Sequence, residues 1–348
     1  MLKLLSYGIS GRLLEWITSF LTGREQLVEV NHHLSTSKSI TSGVIQGSVL
    51  GPTLITVFIN DIVSLIKYGK PYLFADDLKV VYDFNYNDMN VANKIQEDLN
   101  SLCNWSEKWQ LTFNPAKSGI TCFGHRKPSM CLYVYGNLVS NTNTVTDLGV
   151  TYSDLTFTEH ANKVVSDCKR LTGFVLCNFY TQEARLAIYK VCIRPKLEYC
   201  VHVYSSFKSA DRKNVESVQR FLTKRPLGYD HQIEYLDRYI RLDLEPLWLR
   251  RVKCNLFPLF KVIRKHCNSS ITLSNPKSYR PRNHNYFLKA NIHKLTTTAN
   301  FFTIKYYKLW NQLPSETRSC ERPDSFKRSL EKHINMPTLA RLRDVKCW

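Results

Sequence analysis

The residues best suited to chemistry in this chain are the adjacent pair Asp76-Asp77, inside the run Tyr72-Leu73-Phe74-Ala75-Asp76-Asp77-Leu78-Lys79-Val80-Val81-Tyr82. Neighbouring carboxylates repel one another, and a bound cation relieves the repulsion. Both are hard oxygen donors, the type that holds divalent ions. The apolar residues on either side read as two strands, with the acidic pair as the turn of a β-hairpin. Upstream lies Ser42-Gly43-Val44-Ile45-Gln46-Gly47-Ser48-Val49-Leu50-Gly51-Pro52. There Gly47, flanked by polar Gln46 and Ser48, lets backbone approach a nucleotide closely. The chemistry this combination suits is phosphoryl transfer to a hydroxyl. That reaction uses two divalent ions roughly 3.5–4 Å apart, one on the attacking oxygen and one on the leaving group.

The elements that must position these residues are readable from periodicity. Leu13, Leu14, Ile17 and Phe20-Leu21 share one face of a helix over 11–22, closed by Gly23. Gln26 to Asn31 and Lys38 to Val44 read as strands around a polar turn. Pro52 starts a helix through Leu65. A helix over 88–109 carries Val91, Ile95, Leu99, Leu102 and Trp105, with Trp109 extending a buried stripe. Strands are expected at 119–123, 131–135 and 144–150. From about 155 helical patterns dominate, at 160–178, 182–193, 209–225, 246–265 and 324–334. In the helix over 209–225, Val215, Val218 and Leu222 form the apolar stripe, while Arg212, Lys213, Arg220, Lys224 and Arg225 project elsewhere. Those cations make either a solvated face or a surface facing phosphates.

Charge is divided unevenly. The formal charge of the 348 residues is +19, yet residues 1–154 sum to −1 and residues 155–348 to +20. An excess confined to one half points to a grip on a polyanion. The 11 cysteines have no C-x-x-C pair, as expected of reduced thiols in a nuclear or cytoplasmic protein. No secretory signal is visible, and the longest apolar run, Val49 to Ile59, is too short to cross a bilayer. An intracellular protein with no membrane partner is expected.

The segment G-V-I-Q-G-S-V-L-G-P-T-L, the ending F-I-N-D-I and the later L-F-A-D-D resemble reverse transcriptases of non-long-terminal-repeat (LINE-type) retrotransposons, near the jockey-like clades. The likeness continues in Asn114-Pro115-Ala116-Lys117-Ser118, in Asp147-Leu148-Gly149-Val150, in Ile193-Arg194-Pro195-Lys196-Leu197-Glu198-Tyr199, in Val218-Gln219-Arg220-Phe221-Leu222-Thr223-Lys224 and in Leu309-Trp310-Asn311-Gln312-Leu313-Pro314. The resemblance implies that Asp76 and Asp77 are catalytic and hold two Mg²⁺ ions. It implies that Gln46 and Gly47, with Phe74 and Ala75, line the incoming nucleotide and template, and that Lys117 lies near the leaving pyrophosphate. The implied partners are an RNA template, a DNA primer and deoxynucleotides. Viral RNA-dependent RNA polymerases, which usually carry Gly before the aspartates, fit less well, because Ala75 stands there.

Two departures stand out. Ile45 occupies a position where the family usually has proline. The family also places another metal-binding Asp on a strand ahead of a helix containing L-L-x-K-L-x-x-Y-G-I, whereas this chain opens at Met1-Leu2-Lys3-Leu4-Leu5-Ser6-Tyr7-Gly8-Ile9. Asp61, at the end of a helix, is not expected to substitute. The resulting expectation is an α+β chain: an incomplete ferredoxin-like polymerase palm over 1–150, a mostly helical thumb over 151–266, a polar basic linker over 267–300 and a C-terminal extension over 301–348. The expected function is RNA-directed DNA polymerisation impaired by the missing Asp and fingers, with a non-catalytic nucleic-acid-binding remnant as the alternative.

Overall fold

The computed structural model describes residues 1–85, 87–124, 128, 130–204, 209–224, 233–267, 288 and 302–334. Arg225 and nearly all of the expected 267–300 linker lie outside the described residues, as do residue 301 and residues 335–348 of the expected extension. The chain is α+β, with helices and short antiparallel ladders mixed in the first part and helices prevailing after residue 157. Met1–Thr142 form one unit and Asn143–Trp348 a second. The hairpin of Thr144–Asp147 and Val150–Ser153 therefore groups with the following helices.

In the first unit, the helix Gly11–Leu21 ends at Thr22 and Gly23, whose φ of +62° suits glycine. The expected ribbon forms in two tiers. Arg24–Gln26 pairs with Lys38–Ile40, and Glu29–Val30 pairs with His33–Leu34 around Asn31 and His32, both at positive φ. Pro52 sits in the first turn of a helix that stays α-helical only over Gly51–Ile59, then tightens into a 3₁₀ turn over Asn60–Leu65. The strands Lys70–Phe74 and Asp77–Val81 pair antiparallel, with Phe74 opposite Asp77. The acidic pair is thus not the turn itself. The two-residue turn is Ala75-Asp76, and Asp77 opens the return strand, because the ladder closes one residue earlier than the carboxylates suggest.

The helix Val91–Trp109 packs beneath this hairpin. Leu102 and Trp105 join Ile59 and Ile62 in one apolar cluster, with Leu73 and Leu78 of the hairpin packed against it. Each such burial removes apolar surface worth about 1.5–3 kcal/mol per large side chain. The described strands pair only as six two-stranded ladders. The expected strands at 119–123 and 131–135 shrink to Gly119–Ile120 and Tyr133–Val134.

In the second unit the helices Thr158–Asn178, Ser209–Lys224 and Leu247–Ile263 supply a large part of the core. Val215, Val218 and Leu222 are buried in it, as their spacing predicts. The single helix expected over 182–193 is instead Gln182–Ile188, a π-helical turn Tyr189–Ile193 and Arg194–Glu198. Pro195 explains the break: it lacks an N–H and is tolerated only in a helix's first turn. Helices at Val201–Tyr204, Tyr235–Arg241, Phe302–Gln312 and Ser315–Arg318 are additional to those expected. Tyr306, Leu309 and Trp310 pack with Phe260 and Phe326 in a second apolar cluster.

Buried Glu216 joins two of these helices. Its carboxylate accepts Tyr239 Oη at 3.0 Å and the backbone N–H of Trp248 at 3.1 Å. Pro246 at the N-cap of Leu247–Ile263 offers no side-chain cap. Glu216 therefore caps that helix from outside it, satisfying a first-turn donor.

Candidate active-site hairpin

Asp76 and Asp77 are exposed at the tip of their hairpin, flanked by Phe74, which is 64 % exposed. Ala75 holds φ +50°, a left-handed conformation that an L residue adopts at some cost. The tip is held from below. Asp98, fully buried on the Val91–Trp109 helix, accepts the backbone N–H groups of Lys67 and Tyr68 at 2.9 and 3.2 Å, just ahead of the first strand. It also accepts Tyr82 Oη, just past the second strand, at 3.1 Å. One carboxylate thus ties both ends of the hairpin to one helix. Burial, and then the Asp98 carboxylate, push the Tyr82 phenol well above its usual pKa. Gly69 makes this closure possible: a Cβ there would come within 2.4 Å of Val80 Cγ1 and 2.6 Å of Tyr82 Cε1.

Asp98 and Tyr82 were not singled out by sequence pattern, although a signal exists. Ile95, Asp98, Leu102 and Trp105 fall three and four residues apart. An aspartate on the buried stripe of a helix needs buried donors.

The Gln46-Gly47 segment forms a separate turn in the same unit. Ser48 N–H donates to Ile45 O at 3.3 Å, and Gly47, third in the turn, has φ +80°. A type II turn demands that conformation there, and glycine supplies it without strain. Arg24 Nη2 donates to Gly43 O at 2.8 Å, anchoring the approach to the turn. Ser48 Oγ accepts the N–H of Gly51 at 3.1 Å and so ties the turn to the next helix. Gln46 itself is exposed. Lys117 is also exposed, on a turn organised by Asn114, whose Oδ1 accepts Ala116 N–H at 3.0 Å and whose carbonyl accepts Lys117 N–H at 3.1 Å.

Asp61 is engaged elsewhere. Its Oδ1 lies 2.7 Å from Lys3 Nζ and accepts Trp105 Nε1–H at 3.2 Å. The Lys3 ammonium also lies 3.9, 4.5 and 4.6 Å from the ring centroids of Trp109, Phe58 and Trp105. Asn60 Nδ2 donates to Tyr7 Oη at 2.9 Å. The stretches K-L-x-x-Y-G-I and F-I-N-D-I are thereby bonded to each other.

On the basic helix of the second unit, Lys213 and Lys224 are exposed. Arg212 is half-buried. Arg220 lays its guanidinium over the Tyr235 ring at 4.0 Å. No described helix is long and apolar enough to cross a membrane.

The first unit thus holds exposed carboxylates on a clamped hairpin and a separate glycine turn. Residues 3–169 match the model described as "Reverse transcriptase (RNA-dependent DNA polymerase)". The chain is 30% identical over 234 residues to "RNA-directed DNA polymerase from mobile element jockey" of Drosophila funebris, covering 63% of this chain and 25% of that relative. It is 29% identical over 228 residues to "Probable RNA-directed DNA polymerase from transposon X-element" of Drosophila melanogaster, covering 61% and 24%. The chain spans about a quarter of the length of these curated relatives. No solved structure matches it.

The residues at the tip are of the type that holds divalent ions, which reverse transcriptases use. Asp76 and Asp77 are oxygen donors open to solvent, while such ions take six or more oxygen ligands. Among the described residues, no group of three or more His, Cys, Asp or Glu side chains forms a cage. The two aspartates would share the ions with water and nucleotide phosphates.

Proposed function

We propose that this chain carries the aspartate hairpin of an RNA-directed DNA polymerase from a mobile element, acting on an RNA template, a primer and deoxynucleotides. The observation that carries this reading is the position of Asp76 and Asp77. They stand exposed at the tip of a hairpin fixed at both ends by one buried carboxylate, inside the segment that matches the family. Asp76 and Asp77 would hold Mg²⁺, which supplies charge stabilisation at the transferring phosphoryl group. Gln46, Gly47, Phe74 and Ala75 would border nucleotide and template. Lys117 would place a cation near the leaving pyrophosphate. Residues 1–150 would act as the palm and the helical residues 151–266 as the thumb.

The uneven charge favours a second reading, a nucleic-acid-binding protein without polymerase activity. The net +20 of residues 155–348, with Lys213 and Lys224 exposed, suits phosphate contact independent of chemistry. Primer extension on an RNA template with Mg²⁺ separates the two. Extension that disappears in Asp76→Asn establishes the polymerase. Salt-sensitive strand binding without extension establishes the second reading.

A further inference from the structure

Two stretches that the hairpin site leaves unused, Asp147–Val150 and Ile193–Tyr199, meet in the second unit. Tyr199 Oη donates to Leu148 O at 2.8 Å. Gly149, at φ +79°, faces the Tyr199 ring, and a Cβ there would lie 3.7 Å from Cε1. These residues border a cavity of about 230 Å³. The Thr158–Asn178 helix lends His160 and Lys163 to it, and the short helix Arg194–Glu198 lends Lys196.

His160 is only 4 % exposed. Its Nδ1 accepts the Thr151 N–H at 3.3 Å, which assigns the ring proton to Nε2. Nε2 has no partner among the described residues. The ring is held edge-on against Tyr204, with centroids 4.6 Å apart. Burial, then Lys163 and Arg251, push the His160 pKa below its usual value, so the ring is a neutral N–H donor at neutral pH. Lys163 and Lys196 are exposed and make no ion pair among the described residues. Asp167, which also borders the cavity, has its Oδ1 3.5 Å from Arg170 Nη2. Burial pushes the Cys168 thiol up to about 11, which removes thiolate chemistry from the cavity.

Two ammonium groups from different helices and a buried N–H donor, all bordering one small cavity, are the groups that receive an anion. The cavity is smaller than the ~300 Å³ at which pockets for whole ligands begin, so it fits a single group better than a base and sugar. We propose that this pocket seats one phosphate group of a nucleic-acid strand, between Lys163 and Lys196 with His160 Nε2 donating to it. The phosphate chemistry rests on the pocket alone. Assignment to a nucleic-acid strand rests on the function proposed above.

The test measures equilibrium binding by the full chain. Fluorescence anisotropy would follow a labelled 12-nucleotide single strand, with and without a 5′-phosphate, and inorganic phosphate would be tried as competitor. In the double variant Lys163→Gln/Lys196→Gln, affinity is expected to fall about tenfold, and His160→Phe is expected to weaken binding several-fold. The dependence of log affinity on log salt is expected to drop by ~0.7 for one lost single-strand phosphate contact. Equal loss for both strands assigns a backbone phosphodiester, loss only for the 5′-phosphorylated strand assigns a terminal phosphate, and competition by inorganic phosphate supports the pocket in either case. Both lysines are exposed, and an unchanged thermal unfolding midpoint verifies that the double variant is folded. Affinity within twofold of the parent in that variant overturns the pocket, as does a parent chain that binds neither strand. If affinity instead drops only in Lys213→Gln/Lys224→Gln, the pocket is overturned while the polymerase reading stands. Strand binding through the pocket without primer extension would remove the polymerase reading and keep the pocket.

Discussion

Tyr82 Oη donates to Asp98 Oδ2 across 3.1 Å, and the same carboxylate takes the backbone N–H groups of Lys67 and Tyr68. This carboxylate spans the base of the hairpin that presents Asp76 and Asp77. Asp98→Ala would strand two backbone donors and a phenol, a loss of about 2–4 kcal/mol. Native-state hydrogen exchange is the direct measurement, since amides over 70–81 report the local opening free energy. Their exchange is expected to accelerate by two orders of magnitude or so. Unchanged protection would mean that apolar packing alone holds the hairpin.

Gly69 and Ala75 make opposite demands on the same hairpin. Gly69→Ala places a methyl group 2.4 Å from Val80 Cγ1, well inside contact distance, and is expected to destabilise by about 1–3 kcal/mol. Ala75→Gly relieves a φ of +50° and is expected to gain up to about 1 kcal/mol, offset partly by the greater freedom of glycine in the unfolded chain. Thermal unfolding of the two variants should shift in opposite directions. A shift of the same sign in both would refute the assigned turn geometry.

Lys3 joins Asp61 to a cluster of three aromatic rings, with its side chain only 10% exposed. Lys3→Met keeps the apolar stem but removes the charge from both partners. A cost of about 2 kcal/mol is expected, combining a largely desolvated cation–π contact with a partly shielded ion pair. Denaturant unfolding followed by fluorescence of Trp105 and Trp109 would measure it. Asp61→Asn is expected to lower stability similarly, in keeping with a structural carboxylate.

Glu216 gives the second unit a dependence on pH. Burial raises its pKa, against the pull of its hydrogen bonds to Tyr239 and Trp248. A carboxyl whose folded pKa exceeds its unfolded value contributes stability below the unfolded value, near 4.3, and loses it as pH rises through the folded one. Glu216→Gln removes this titration. Its unfolding midpoint relative to the parent is therefore expected to improve steadily from pH 4 upward. Parallel curves for parent and variant between pH 4 and pH 8 would contradict the assignment.

Local signals in the sequence were enough for the hairpin, the Pro52 helix start and the stripe of Val215, Val218 and Leu222. Each depends on residues close in the chain: alternation, a proline in a first turn, or a repeat of three and four. The motifs around Gln46 and Asp76 likewise carried the resemblance to reverse transcriptases from residue identity alone, and they lie inside the segment that matches that model. The turn register was less legible, because an acidic pair fits either a turn or a strand start. Pairing Phe74 with Asp77 moved the turn to Ala75-Asp76.

Tertiary structure decided the partnerships between distant residues. Asp98 holds the hairpin across a separation of thirty residues, Lys3 reaches Asp61, and Glu216 caps a helix that begins at Leu247. The pocket of His160, Lys163 and Lys196 likewise exists only because two helices and a hairpin converge. Periodicity shows which face of an element is buried, but not which donor on another element meets a polar group on that face. Desolvation makes that pairing obligatory, and only the folded chain determines the partner.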